Sequence, residues 1–378
     1  MKDFAGNNIP KLGFGLMRLP TLGDETKIDI EHVKKMVDHY MQAGFTYFDT
    51  AYVYHGGFSE KAAKQALVER YERSKFQLAT KLPLWDVQPG DDQQKVMQEL
   101  FDTSLERTGA GYFDYYLLHS LSRSMFDKLE KLGAWDFGKQ LKTKGLVKNF
   151  GFSYHDDAQG LDELLTKHPD VDFVQLQINY IDWESDSVQS RLCYEVAMKH
   201  NIPVIIMEPI RGGSLANMST QAQEMFKSYN PNLSIASWAM RYCASLEGII
   251  TVLSGISNME QVEDNVSYMK EFKPLDQGER NVVDKVVAYL NSLPVVPCTA
   301  CRYCTPDCPM NIDIAEIFKV YNEHLLYRNT AKDKERYQRI TAEGGKAGDC
   351  IECGSCEGHC PQHISIIEEL KKVAAALE

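Results

Sequence analysis

The chain lacks any apolar run approaching the ~20 residues that a membrane-spanning helix needs, so no bilayer span is expected. It also lacks a basic surplus. Its 41 Lys and Arg are outnumbered by 53 Asp and Glu, giving a net charge of −12. Nucleic acids and anionic membrane surfaces select basic patches, so neither is an expected partner. The opening residues Met1-Lys2-Asp3-Phe4-Ala5-Gly6 lack the charged-then-apolar layout of a secretory leader, and the cytoplasm is the expected compartment. The dinucleotide turn Gly-x-Gly-x-x-Gly is missing too. Gly13-Phe14-Gly15 runs on into Leu16-Met17-Arg18 instead of opening a helix, which weighs against a doubly wound open sheet. No long-period repeat and no low-complexity segment stands out.

What is present is cysteine in a pattern. Of 10 cysteines, all but Cys193 and Cys243 fall in two identical runs near the end of the chain. The first is Cys298-x2-Cys301-x2-Cys304-x3-Cys308-Pro309, and the second is Cys350-x2-Cys353-x2-Cys356-x3-Cys360-Pro361. This is the ligand spacing of proteins that carry two 4Fe–4S clusters. Three close thiolates hold one cubane, and the fourth, before its proline, crosses to the other. A zinc site prefers two tight pairs, often with histidine, and a disulfide framework needs an oxidising compartment. Neither suits two complete four-sulfur runs. Cys193 and Cys243 sit in helical patterns and read as buried apolar residues. An iron–sulfur chain with acidic balance is compatible with a redox partner protein that presents a basic surface.

At 378 residues, with 44% hydrophobic and 25% charged residues, the chain has room for one large globular domain and a small one. Between residue 11 and about 255 short apolar runs alternate with longer amphipathic stretches. The expected strands are Leu12–Met17, Thr46–Asp49, Phe76–Lys81, Phe113–His119, Asn149–Ser153, Phe173–Gln177, Val204–Met207 and Ile249–Leu253. Helical patterns cover 30–43, 59–72, 92–108, 123–143, 157–167, 187–200 and 233–245. Continuous apolar strands are those buried on both faces, and such strand–helix units predict an α/β fold, the (β/α)8 TIM barrel. Closing helices follow in 258–292, and Leu293-Pro294-Val295-Val296-Pro297 reads as a connector. The expected domains are thus a barrel over 1–292 and an iron–sulfur domain over 293–378. Ile314, Ile317, Phe318, Tyr321 and Leu325 recur at helical spacing, and a last helix starts near Ile364, so that tail is expected to be helix-rich and ferredoxin-like.

Chemistry in such barrels sits at the carboxyl ends of the strands. Asp49 ends the second strand and Tyr54 follows it; Lys81 ends the third and His119 the fourth. These types suit proton delivery to a carbonyl oxygen. Phenol is a weak acid that ordinarily titrates near pH ~10. A lysine cation beside it stabilises phenolate, and a carboxylate keeps a buried lysine charged. Histidine orients the substrate oxygen or helps pass the proton. Each residue alone also fits a structural role as turn former, cap or satisfied core group. The four together, in this order, favour catalysis.

Over roughly residues 8–290 the chain resembles the aldo-keto reductase superfamily, in the branch with a C-terminal two-cluster ferredoxin-type domain. The resemblance rests on Phe48-Asp49-Thr50-Ala51 with Tyr54, Gly57-x-Ser59-Glu60, Lys81, Tyr116-Leu117-Leu118-His119, Gly151-Phe152-Ser153 and Gly255-x5-Gln261-x3-Asn265. It implies an NAD(P)H-dependent oxidoreductase acting on an aldehyde or ketone, or on the alcohol in reverse. The implied catalytic tetrad is Asp49, Tyr54, Lys81 and His119, with Tyr54 as general acid and base. Ser153 and Gln175 match positions that hold the nicotinamide carboxamide, and Asn265 matches an adenine-binding position. Ser59-Glu60 reads more simply as a helix N-cap. Departures are informative. Met207 stands where many relatives stack a tyrosine on the nicotinamide, and Gln261 where an arginine clamps the 2′-phosphate of NADP. NAD and NADP both remain open. Tyr154 replaces a frequent asparagine. Arg211, in Glu208-Pro209-Ile210-Arg211-Gly212-Gly213, is a candidate pyrophosphate contact.

A nicotinamide moves electrons in pairs and a cubane singly, so coupling normally uses a flavin. No flavin motif is indicated, although barrels bind flavin phosphate through backbone groups that leave little sequence trace. Three readings follow. One is a carbonyl reductase whose clusters relay electrons to or from a partner. The second is a reductase with structural or sensing clusters. The third is an electron-transfer or flavin-linked protein that uses the barrel as a scaffold.

Overall fold

The computed structural model describes residues 9–87, 92–327 and 330–378; Met1–Gly6, the stretch without a leader layout, lie outside them. Eight parallel strands close into a barrel: β1 Leu12–Gly15, β2 Tyr47–Asp49, β3 Gln77–Leu82, β4 Phe113–Leu121, β5 Val147–Tyr154, β6 Phe173–Gln177, β7 Val204–Met207 and β8 Ile249–Gly255. Each pairs with the next, and β1 pairs with β8. Both faces are covered, which explains the unbroken apolar runs. Tyr47, Ala79, Tyr115, Leu117, Phe173, Ile205 and Leu253 fill the barrel interior. Phe48, Leu78, Tyr116, Leu118, Phe152, Val174 and Ile206 point outward into the layer under the helices.

That alternation positions the site. Residues two apart share a face, so Asp49 follows Tyr47 inward, Lys81 follows Ala79, and His119 follows Leu117. Gln175 follows Phe173 and Met207 follows Ile205. Gly151 lies on the inward register of β5, where a Cβ would stand 2.3 Å from the Phe173 carbonyl oxygen. Only glycine lets β5 and β6 approach so closely there.

The expected helices form with two differences, and one expected strand is shorter. The stretch 123–143 is two helices, Phe126–Leu132 and Ala134–Thr143, parted at left-handed Gly133 (φ 65°). The stretch 59–72 is the α-helix Phe58–Ala63 running into a π-turn, Lys64–Val68. The first expected strand stops at Gly15 and gives way to a 3-10 turn over Leu16–Arg18. Among the described residues three α-helices had no sequence counterpart: Thr220–Tyr229, Thr330–Ile340 and the single turn Ser355–Gly358.

The chain forms two compact units. The first contains all eight strands and comprises Met1–Ser185, Gln189–Ile210 and Ala236–Gln277; the second comprises Asp186–Val188, Arg211–Ile235 and Gly278–Glu378. The second unit has its own apolar core, including Val296, Ile317, Phe318, Leu370, Val373 and Leu377. Within it the structure extends the two identical cysteine runs into a longer repeat. Each cysteine run is followed by a helix, Ile314–Tyr327 or Ile366–Leu377, and equivalent positions are 52 residues apart. The backbone repeats with them. Ala300, Arg302 and Asn311 are left-handed (φ 53°, 65° and 52°), and so are their mates Glu352, Gly354 and His363 (φ 58°, 77° and 49°). Asp307 and His359, also mates, approach to 3.1 Å.

Candidate functional site

The side chain at the centre of the barrel mouth is Lys81. It is only 1% exposed. Its Nζ donates to Asp49 Oδ1 at 2.5 Å, to the Thr50 carbonyl at 2.7 Å and to the Tyr54 hydroxyl at 3.3 Å. Burial pulls the lysine pKa below its ordinary value, and the Asp49 charge opposes that pull. Asp49 is in turn fixed from the opposite side of the barrel, where Gln175 Nε2 donates to Asp49 Oδ2 at 3.1 Å.

Tyr54 opens a 3-10 turn, Tyr54–Gly57, bent by left-handed His55 and Gly56. His55 pins that turn, because its Nε2 accepts from Leu19 N at 3.2 Å and its Nδ1 contacts the Glu25 carbonyl at 2.8 Å. The Tyr54 ring lies 5.9 Å from the imidazole of His119, nearly perpendicular at 79°. His119 is buried, and its pKa lies well below the usual histidine range, first through burial and then through the Lys81 charge. It is neutral at pH 7. Its Nδ1 is buried with no hydrogen-bond partner. Buried polar atoms are seldom left unsatisfied, so this nitrogen has capacity for a further hydrogen bond. Four residues named from sequence thus meet at one point, and Gln175 joins them.

The other expected contacts are placed differently. Ser153 is buried on the inward register of β5 and accepts from Ser120 N at 2.7 Å. Met207 is partly buried at the end of β7, against the interior layer. Tyr154 packs with the outward layer and donates to the Asp157 carbonyl at 2.8 Å, away from the mouth. Asn265 is buried in the helix Met259–Met269; its amide donates to Ser254 Oγ at 2.7 Å and accepts from the Tyr268 hydroxyl. Gln261 is exposed on the first turn of that helix, where its Oε1 accepts from Ser257 N at 2.7 Å. Arg211 is left-handed (φ 47°) and belongs to the second unit.

Three contributors were missed. Ser59-Glu60 is not an N-cap: Gly57 holds that position, and Ser59 Oγ bonds Thr50 Oγ1 at 2.7 Å and the Leu16 carbonyl at 2.9 Å. Glu60 is fully buried. It accepts from Thr80 Oγ1 at 2.7 Å and from Arg107 at 3.3 Å, and its charge also supports the Lys81 cation. Trp85 stands 5.1 Å from His119 and is 39% exposed, an aromatic wall beside the mouth. Its only signal was a large aromatic residue in a strand-end loop. Glu60→Gln is expected to move the basic limb of the activity profile to lower pH, because removing a negative charge makes Lys81 lose its proton sooner. KM should change little. A pH–kcat profile checks this.

In the second unit the cysteines line two recesses. One is bounded by Cys298, Cys301, Cys304 and Cys360, the other by Cys350, Cys353, Cys356 and Cys308. Each holds three sulfurs of one run and the fourth of the other. Among the described residues no disulfide forms, and no three His, Cys, Asp or Glu side chains converge as a single metal ion requires. Cys193 and Cys243 are buried thiols, as their helical context suggested; burial pushes Cys193 up to about 12.

A closed parallel barrel with an Asp–Tyr–Lys–His group at its carboxyl rim, joined to a cysteine-rich helical unit, defines an oxidoreductase class. The aldo/keto reductase family model matches residues 11–288, and a 4Fe-4S dicluster domain model matches 297–365. The chain belongs to the aldo/keto reductase family and is an NAD(P)-dependent oxidoreductase carrying a 4Fe–4S dicluster domain. An uncharacterized oxidoreductase of Bacillus subtilis, YqkF, is 22% identical over 287 residues, covering 68% of this chain and 87% of that protein. Aldo-keto reductase family 1 member C21 of Rattus norvegicus is 23% identical over 316 residues, covering 73% and 90%. Among solved structures, the holo form of AKR11C1 from Bacillus halodurans matches with TM-score 0.58 and 24% identity, over 73% of this chain and 91% of that one. An aldo-keto reductase from Klebsiella pneumoniae in complex with NADPH matches with TM-score 0.59 and 19% identity, over 74% and 91%. At these identities the structural likeness speaks to the fold alone. Among the described residues no helix is long and apolar enough to cross a membrane.

Proposed function

We propose that the protein reduces an aldehyde or ketone with NADH or NADPH, or oxidises the alcohol in reverse, and that two 4Fe–4S clusters in its tail relay electrons to or from a partner protein. The observation that carries the reading is the buried Lys81 ammonium, held between Asp49 at 2.5 Å and the Tyr54 hydroxyl at 3.3 Å. A bound nicotinamide would supply hydride. Tyr54 donates its proton to the carbonyl oxygen and takes it back in the oxidation. Lys81 stabilises the phenolate left behind, and Asp49 keeps Lys81 charged against burial. Neutral His119 orients the substrate oxygen through a hydrogen bond, and Trp85 flanks it with an apolar face. The Ser153 hydroxyl and the Gln175 carbonyl oxygen suit a carboxamide, which needs one donor and one acceptor.

Bound clusters would supply one-electron steps. Cys298, Cys301, Cys304 and Cys360 would hold one, and Cys350, Cys353, Cys356 and Cys308 the other. The paired recesses support this over zinc, whose tetrahedral sulfurs would crowd within about 4 Å of one another. We take 1–292 and 293–378 as the working domains. The test is anaerobic purification, iron and sulfide counting, and titration with each nucleotide. The expected result is about eight irons per chain and, where a flavin co-purifies to split the hydride pair into single electrons, bleaching of the visible band by NADH or NADPH. Carbonyl turnover that survives cluster loss undiminished would assign the clusters a structural role instead.

A further inference from the structure

The internal repeat provides a control for each surface of the second unit. Position 299 in the first run corresponds to position 351 in the second. Thr299 is 3% exposed. It is sealed by the loop that follows β7, where left-handed Gly212 packs so tightly that a Cβ there would stand 2.0 Å from the Thr299 carbonyl oxygen. Its mate is Ile351, a large apolar side chain that is 59% exposed. Met310, 37% exposed, lines the same recess, as do exposed Pro309 and Cys353. Both recesses have a buried apolar floor, Ala315, Phe318, Ile364 and Ile366 in the first and Ile312, Ile314 and Leu370 in the second, and they differ at the rim, where buried Thr299 stands in one and exposed Ile351 in the other. Among the described residues the rim of the first site is covered at position 299 by the chain itself, and the rim of its twin carries exposed apolar groups.

We propose that the exposed face around Ile351, Met310 and Cys353 is the docking surface for a one-electron carrier protein that presents a basic rim around its redox centre. The inference rests on the reading that the tail carries two clusters, and it names which of them faces the partner. Charge selects the occupant. From Thr341 to Glu378 there are seven acidic side chains and three lysines. Glu352, beside Ile351, shares Lys371 with Glu368, at 3.2 and 2.9 Å, so this cluster of three remains net negative. Carrier complexes are small and transient. An apolar centre provides contact, and complementary charge provides orientation and fast encounter. One electron passes per encounter, and no atom is exchanged.

The test uses the anaerobically purified full-length protein and ferricytochrome c as a basic probe. Affinity is measured by calorimetry at low and high salt, and contacts are mapped by carbodiimide crosslinking. The expected result is salt-sensitive binding, with crosslinks at Glu352 or Glu368. Glu352→Lys with Glu368→Lys should weaken binding at least tenfold, and Ile351→Ser about threefold, with iron content unchanged. Unchanged affinity in these variants, crosslinks confined to the barrel, tighter binding of an acidic carrier, or self-association through this face would each overturn the proposal. A preparation without iron would remove the cluster reading itself, a separate failure visible before any binding is measured.

Discussion

Tyr54→Phe is expected to lower kcat for carbonyl reduction by about 10²–10⁴-fold, the usual worth of a positioned general acid. Nucleotide affinity should be nearly unchanged, because the hydroxyl supplies only the proton. The variant keeps the ring, and with it the edge-on contact to His119 at 5.9 Å. Lys81 loses its longest partner and retains Asp49 at 2.5 Å and the Thr50 carbonyl at 2.7 Å, so the buried cation stays satisfied. The loss is therefore chemical, not structural. Thermal unfolding should confirm an intact barrel, and single-turnover kinetics should place the loss in the chemical step. The pH dependence follows by sign. Burial lowers the Lys81 pKa, so its cation disappears at a lower pH than that of a free lysine, and reduction should fall on that limb. His119 also has a depressed pKa, so its neutral form persists across the working range, and it sets no limb near its ordinary value. Wild-type rates in Tyr54→Phe would remove Tyr54 from the mechanism.

The barrel was legible because its strands are buried on both faces, which leaves continuous apolar runs that survive without any alignment. The meeting of Asp49, Lys81 and His119 at the rim was legible for a related reason. Each is a polar residue ending such a run, so each announces a rim position. What stayed hidden depends on partners far away in the chain. Glu60 looks like a cap because its neighbours are Ser59 and Lys61, whereas its actual partner, Arg107, lies 47 residues on. Gln175 is recognisable as a rim residue, but its bond to Asp49 spans 126 residues. The repeat of the second unit beyond its cysteine runs escaped because its mates share backbone shape rather than chemistry. Thr299 matches Ile351, Arg302 matches Gly354, and Asp307 matches His359, and outside the cysteines, their prolines and the two helices few positions align by type. The helices Thr220–Tyr229 and Thr330–Ile340 are polar enough to pass for loops.

Cys360→Ala is expected to destroy the cluster whose other three ligands, Cys298, Cys301 and Cys304, lie more than fifty residues upstream, and to spare the one held by Cys350, Cys353 and Cys356, its own neighbours in sequence. The reason is geometric: Cys360 lines the recess of the first run, and Cys308 lines that of the second. A cubane left with three thiolates has an iron open to solvent, and iron should fall from about eight to about four per chain. Pairwise variants make the assignment decisive. Two ligands of one cluster cannot lose it twice, so Cys298→Ala with Cys360→Ala should retain as much iron as Cys360→Ala alone. Ligands of different clusters should act independently, so Cys356→Ala with Cys360→Ala should retain almost none. If each run held its own cluster, the two outcomes would be exchanged. The crossed arrangement also makes each cluster a clamp between the two halves of the repeat. Because bound metal contributes directly to folding free energy, Cys308→Ala and Cys360→Ala should each loosen the whole second unit, visible as faster amide exchange in both of its long repeat helices, while the barrel strands keep their protection.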